Sequence, residues 1–94
     1  MALEFEWDEN KAIANESNHG VSFDEASAVF DDPLSITIPD PAHSIRELRY
    51  IQLGESSNGR LLVVVFTERG AKIRIISSRE ATMAERKQYE EGDF

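Results

Sequence analysis

The chain has 94 residues, contains no cysteine and carries a formal net charge of −8 at pH 7. This length predicts a single domain over residues 1–94, with one core and an open surface groove instead of a deep pocket. The lack of cysteine excludes a disulfide framework, a thiolate nucleophile and a cysteine-bound metal. The longest apolar run has six residues, Leu61 to Phe66, and the acidic N-terminus does not resemble a signal peptide, so a cytoplasmic protein without membrane contact is expected.

Charge is divided unevenly along the chain. Residues 1–45 hold ten acids and one base, Lys11, whereas residues 46–94 hold nine bases and eight acids. Between residues 60 and 79, five bases stand against one acid, Glu68. This local excess of cations suits a ligand rich in phosphate, but it is equally explained by a need to balance acids elsewhere in the fold. Charge alone leaves both interpretations open.

The first third of the chain predicts one strand and two helices. Residues 3–7 alternate between apolar and acidic side chains, which is the period of a half-buried strand. Asp8 is placed to cap a helix over residues 9–18, which the following His-Gly pair ends. Residues 22–25 have the spacing of a capping box and begin a second helix, which stops before Pro33.

The rest of the chain predicts an antiparallel meander followed by a helix. Strands are predicted over residues 34–38, 46–54, 60–67 and 72–78, with a proline-containing loop over residues 39–44. Asn58-Gly59 is a strong hairpin signal between the second and third of these strands. Thr82 and Glu85 have capping-box spacing and begin the last helix, although Ser78 is an alternative start. The predicted class is therefore α+β.

The residue patterns do not favour a metal or cofactor site. His19 and His43 are 24 positions apart, and neither has a second histidine at helical spacing. Asp31, Asp32 and Asp40 are possible ligands for a hard cation, but the spacing of a calcium loop is missing. The glycine-rich loops and serine motifs of common nucleotide-binding proteins and hydrolases are also missing. No metal and no cofactor are expected.

The basic strands offer a candidate phosphate site. Arg60, Arg74 and Arg79 fall on neighbouring antiparallel strands, which predicts that their side chains lie within several ångströms of one another. Guanidinium groups bind two phosphate oxygens at once and would stabilise the phosphorane formed when a 2′-hydroxyl attacks an RNA phosphodiester. Glu68 is the acid inside this group and a candidate base, with His19 as a second proton carrier. Tyr50 and Tyr89 are further candidates.

Each of these residues also has a structural interpretation. Lys72 and Arg74 fit the solvated face of an alternating strand, and Glu68 fits a turn. Arg79 is placed to pair with Glu85 at the start of the last helix. His19 before a glycine is favoured at the end of a helix by the helix dipole. The two tyrosines are more often half-buried packing residues.

Several motifs in order along the chain resemble the toxins of the BrnT family. These motifs are residues 5–11, Asn15, residues 19–26, residues 30–34, residues 60–70 and residues 73–82, followed by Glu85-Arg86 and Tyr89-Glu90. The likeness covers about residues 5–90. It implies a RelE-like fold, in which a small antiparallel sheet carries two helices inserted after the first strand and one C-terminal helix.

The resemblance also implies a function. It implies a ribonuclease that inhibits translation and is neutralised by a BrnA-type antitoxin. The toxin–antitoxin complex is expected to bind its own promoter DNA through the antitoxin. By position, the likeness makes Arg60, Glu68, Arg79 and His19 catalytic candidates for an RNA substrate. RNA-binding candidates are Lys11, Lys72 and Arg74.

One departure from the family pattern favours an alternative function. The family usually has a lysine before the His-Gly pair, and this chain has Asn18. The loss of that cation, together with the acidic net charge, is expected to weaken RNA binding, because RNA binding depends on cationic contacts with phosphate. The alternative is a catalytically weak or silent module that binds its antitoxin, and the chain by itself is a candidate homodimer.

Overall fold

The computed structural model describes residues 3–43 and 46–92. Its strands and helices are β1 (Glu4–Glu6), α1 (Glu9–His19), α2 (Phe23–Ala28), β2 (Ile36–Pro39), β3 (Arg49–Glu55), β4 (Leu61–Arg69), β5 (Lys72–Glu80) and α3 (Met83–Glu91). Short 3-10 turns cover Val29–Asp31 and Pro41–His43. The predicted α+β class is confirmed. Ser44, the end of the predicted loop after β2, lies outside the described residues.

The strands form one mostly antiparallel sheet in the order β1-β5-β4-β3-β2. The last four strands in the chain make the predicted antiparallel meander. β1 lies parallel to β5, with Phe5 opposite Ile73, a pairing that the sequence pattern did not predict. Because β1 pairs only with residues 72–74, the second half of β5 has no neighbouring strand on that side. This uncovered edge receives the end of α1.

Local capping signals set the ends of the helices. The side chain of Asp8 accepts a hydrogen bond from the Lys11 amide at 3.0 Å, and Gly20 ends α1 in the left-handed conformation with φ of 69°. Thr82 and Glu85 form the reciprocal capping box predicted for α3. Ser22 caps α2 as predicted, but the Glu25 carboxylate does not complete a capping box there and is bound by Arg60 instead.

The two faces of the sheet are covered differently. Side chains alternate along β4, so Leu62 and Val64 point towards α1 and α2, where they join a core with Val21, Phe23, Ala26, Val29 and Ile75. Leu61 and Val63 point to the opposite face and pack with Leu53, Ala81 and Tyr89. The helix α3 covers only one end of this second face of the sheet, and none of its residues is buried. The remainder of that face stays open.

A bulge in β5 decides which side chains reach the open face. Val65 pairs with Ser77 while the next residue, Phe66, pairs with Ile75, so Ile76 has no partner across the ladder. A regular strand would place Arg79 on the same side as Ile75, beneath the helices. The extra residue shifts the alternation by one, and Arg79 lies opposite Val63 on the open face.

Candidate active site

The open face of the sheet holds a groove of about 450 Å³. Four β-branched side chains from the three central strands make its floor: Ile51, Val63, Val65 and Ile76. Its polar lining comes from His19, Asp40, Arg49, Ser77, Ser78 and Arg79. Two guanidinium groups and an imidazole therefore surround an apolar surface that is open to solvent, an arrangement suited to a ligand with both phosphate and planar apolar parts.

His19 reaches this groove because Asn15 attaches α1 to the uncovered edge of β5. The Asn15 amide donates to the carbonyl oxygens of Ser78, at 2.9 Å, and Val21, at 3.0 Å. Its carbonyl oxygen accepts from the Ser78 backbone N–H at 3.0 Å. The side chain thus replaces a missing strand for Ser78, and it fixes the last turn of α1 beside the groove. The sequence analysis included Asn15 among the residues that resemble the family but assigned it no role.

Arg79 is held by Glu85, the structural alternative raised by the sequence. The two terminal nitrogens of the guanidinium donate to the two carboxylate oxygens at 2.8 and 2.9 Å. This ion pair, helped by the Thr82 amide, lowers the pKa of Glu85 to about 2 and raises the pKa of Arg79. The Arg79 side chain nevertheless remains 44% exposed and lines the groove.

Arg49 is a groove residue that the sequence analysis missed. That analysis predicted a strand over residues 46–54 without giving Arg49 a role, whereas Arg49 lies on the face of Ile51, which belongs to the groove floor. Its guanidinium is 3.5 Å from the Glu47 carboxylate. The missed signal was the alternation of residues 49, 51 and 53, which sets Arg49 opposite Thr67 on the open face.

Arg60 takes part in a structural ion pair away from the groove. Its Nε donates to Glu25 at 2.9 Å, its Nη2 also donates to Glu25, and Nη2 donates to the Gly20 carbonyl at 2.9 Å. Glu25 is buried and accepts a further hydrogen bond from the Ser56 hydroxyl at 2.7 Å. Arg60 is the main cause that lowers the pKa of Glu25, and the pair joins α2 to the β3–β4 hairpin.

The expectation that Arg60, Arg74 and Arg79 form one cluster is wrong. Arg74 and Arg79 share the open face, but they stand five residues apart on β5, which is about 16 Å. Arg60 precedes β4 and interacts with Glu25 on the side of α2. The separation follows from the register of β4 and β5, which the residue pattern did not specify.

The remaining cations of the prediction lie outside the groove. Arg74 donates to the Glu6 carboxylate at 2.8 Å, and this interaction lowers the pKa of Glu6. Lys72 is exposed at the start of β5, and Lys11 is exposed in the first turns of α1. The sheet therefore brings Arg79 and His19 to one groove and leaves Lys11, Lys72 and Arg74 apart from it.

Glu68 lies on the other face of the sheet. It borders a hollow of about 380 Å³ that also contains Phe30, Tyr50 and Phe66. Its partner across the ladder is Ile73, whose side chain is buried on the helix-covered side. Of the predicted base Glu68 and the second proton carrier His19, only His19 therefore lines the groove.

The two candidate tyrosines have packing roles. Tyr50 stacks on Phe66 with ring centroids 5.5 Å apart. The hydroxyl of Tyr89 donates to Asp32 at 2.6 Å, and burial together with this carboxylate raises the pKa of Tyr89 to about 12. The contact attaches α3 to the segment before β2.

No group of three or more histidine, aspartate or glutamate side chains among residues 3–43 and 46–92 is arranged to hold a metal ion. Within those residues, no helix is long and apolar enough to cross a membrane.

Comparison with known proteins identifies the family. No curated protein sequence matches the chain. The fold is similar to the 1.1 Å crystal structure of the Brucella abortus ribonuclease toxin, BrnT, with a TM-score of 0.68 over 87% of this chain and 100% of that chain, at 22% identity. Residues 7–85 match the family described as the ribonuclease toxin, BrnT, of type II toxin-antitoxin systems. That match spans most of the chain and confirms the resemblance found in the sequence motifs: the chain belongs to the BrnT family of ribonuclease toxins of type II toxin-antitoxin systems.

Proposed function

We propose that this protein is an endoribonuclease that cleaves RNA in the groove on the open face of its sheet. The observation that carries the proposal is the meeting of Arg79, Arg49 and His19 around an apolar floor. Guanidinium groups bind the phosphodiester, and the β-branched floor accepts the ribose and base. Membership of a ribonuclease toxin family supports this function independently of the geometry.

In this proposed cleavage reaction, the arginines and the histidine have different roles. A 2′-hydroxyl attacks the adjacent phosphorus, its proton passes to a base, and the departing 5′-oxygen takes up a proton. His19 is proposed to move these protons because it lines the groove and an imidazole ring can both accept and donate a proton. Arg79 and Arg49 are proposed to stabilise the negative charge of the phosphorane. Arg60, Glu68, Lys11, Lys72 and Arg74 have no role in this proposed chemical step.

The cellular role follows from the family. A toxin of a type II system has an antitoxin partner. We propose that this partner is a BrnA-type protein, that RNA cleavage inhibits translation in the cytoplasm, and that promoter DNA is contacted only through the antitoxin. We also propose that the fold is RelE-like and that the chain self-associates as a homodimer when its antitoxin is missing.

Two observations favour a second candidate function, a silent antitoxin-binding module. Both Arg79 and Arg74 are already neutralised by carboxylates, and the net charge of −8 opposes binding of a polyanion. In that case the chain binds a basic segment of its antitoxin and cleaves nothing. The two functions are separated by RNA cleavage with purified protein.

The test combines cleavage and growth. Purified wild-type protein should cleave total RNA, and its induced expression should arrest bacterial growth unless the antitoxin is co-expressed. Arg79→Ala and His19→Ala should each lower cleavage by about 100-fold or more while the protein remains folded. Arg86→Ala is the matched control, because Arg86 is an exposed arginine of α3 outside the groove. Folded wild-type protein that leaves RNA intact but binds antitoxin would establish the silent module instead.

A further inference from the structure

The Arg79–Glu85 pair uses only one edge of the guanidinium. Nη1 and Nη2 donate end-on to the two oxygens of Glu85, and Nη1 also donates to the Glu80 carbonyl at 3.2 Å. An arginine has five N–H donors. Among the hydrogen bonds of the described residues, Nε–H and the second hydrogen of Nη2 are not used. Those two donors form the side edge of the guanidinium, which is itself a bidentate phosphate-binding edge.

Glu85 is itself firmly held at the beginning of α3. Its Oε1 accepts from the Thr82 amide at 2.8 Å, and its own amide donates to the Thr82 hydroxyl at 3.2 Å. The carboxylate is thus fixed by the capping box, and only 25% of the side chain is exposed. A fixed carboxylate holding both terminal nitrogens restricts the rotamers of a long and otherwise mobile arginine.

We propose that Glu85 is a positioning residue that holds Arg79 end-on, so that the side edge of the guanidinium stays available to an RNA phosphate in the groove. This role rests on the proposed ribonuclease function. It differs from simple neutralisation of Arg79, because the carboxylate and the phosphate would occupy different edges of the same guanidinium. Glu85 touches no reacting atom and acts only through Arg79.

The structure offers a clean substitution for the test. Glu85→Gln removes the charge but retains an oxygen and the length of the side chain, and glutamine is accepted at this position of a capping box. Glu90→Gln is the matched control, since Glu90 is an exposed acid of the same helix with an identical change of net charge. Thermal unfolding of both variants reports whether α3 is intact.

The measurement is steady-state cleavage of a short RNA by the full-length protein and its variants. Glu85→Gln should lower kcat by about 10- to 100-fold, the scale of a misplaced catalytic group, while KM stays within about threefold or falls. Glu90→Gln should leave both values unchanged. In the Arg79→Ala background, Glu85→Gln should have no further effect on kcat, because the carboxylate acts only through that arginine.

The outcomes separate the role of Glu85 from the function itself. A rise in kcat for Glu85→Gln would mean that the carboxylate sequesters Arg79, and the positioning role would be overturned. An equal loss of kcat with and without Arg79 would overturn it as well, because Glu85 would then act elsewhere. If folded wild-type protein cleaves no RNA, the ribonuclease proposal fails first, and this role fails with it.

Discussion

We predict that Asn15 is required to hold the last turn of α1, with His19, beside the groove. The residue is 6% exposed, and it satisfies the N–H and the carbonyl of Ser78, which is 1% exposed and has no strand beside it on the β1 side of β5. Asn15→Ala removes these bonds and the one to Val21. Water cannot readily replace them in such a buried place. The last turn of α1, with His19, then loses its attachment to β5.

The loss of stability in Asn15→Ala follows from the number of buried polar groups that lose their partner. A buried polar group left without a partner costs about 1–3 kcal/mol, and the substitution strands the two backbone groups of Ser78 and one carbonyl of Val21. The expected loss is about 3–9 kcal/mol of the free energy of unfolding, out of about 5–14 kcal/mol for a chain of this length. The melting temperature should fall by at least about 12 °C. Equilibrium unfolding in urea and thermal unfolding measure the two quantities.

An isosteric substitution sharpens the test. In Asn15→Asp, an oxygen would face the carbonyls of Val21 and Ser78, and burial would raise the folded pKa of the new carboxyl above its usual value of about 3.9. A raised acid pKa means that the protonated form is favoured in the folded state. Its contribution to stability is therefore complete below about pH 4 and is lost as pH rises through the folded pKa.

The control substitution lies on the same helix as Asn15. Asn18→Ala changes an exposed residue of α1 and should alter the free energy of unfolding by no more than about 0.5 kcal/mol. If Asn15→Ala is equally harmless, or if Asn15→Asp is as stable as the wild type at pH 7, the proposed replacement of a strand by this side chain is refuted. RNA cleavage by a folded Asn15 variant would then be expected to match the wild type.

Three further substitutions probe other parts of the fold. Glu25→Gln breaks the ion pair with Arg60, whose side chain is 32% exposed, and should lower the free energy of unfolding by about 1–3 kcal/mol in urea; an unchanged midpoint would contradict a structural pair. Tyr89→Phe removes the bond to Asp32 and should cost about 1 kcal/mol at pH 8. Because the pKa of Tyr89 is raised to about 12, the wild type should also lose stability between about pH 10 and 12, a loss that the phenylalanine variant should lack in alkaline unfolding curves. Gly54→Ala brings a methyl group within 2.7 Å of the Ser35 Cβ and should cost about 1–3 kcal/mol; a melting temperature equal to that of the wild type would show that this contact relaxes freely.

Much of the local structure could be predicted because its causes are local. The Asn58-Gly59 turn, the cap of α1 at Asp8 and the capping box at Thr82 each depend on residues within a few positions of one another. The apolar run from Leu61 to Phe66 also lies within the strand predicted over residues 60–67, which is β4. The spacing Ser22 to Glu25 predicted the helix start but not the partner of Glu25, because Arg60 lies 35 residues away in sequence.

The candidate site was predicted less completely because it depends on register. Arg79 and His19 were selected from the sequence and both line the groove, whereas Arg49 was missed and Arg60 was assigned to a cluster that does not exist. Residue spacing identifies a strand and its alternation. It does not say which residue of the neighbouring strand lies opposite, or where a bulge reverses the alternation.

The sequence by itself therefore determined the elements, their order and the family, because periodicity, caps and motifs are written in neighbouring residues. Tertiary structure alone decided that a bulge at Ile76 turns Arg79 to the open face, and that β1 ends early enough for Asn15 to bind Ser78. It also decided that Arg79 is held by Glu85 while Arg60 is held by Glu25. The physical reason is that pairing between distant segments depends on packing and hydrogen bonding across the whole sheet, which short-range patterns do not encode.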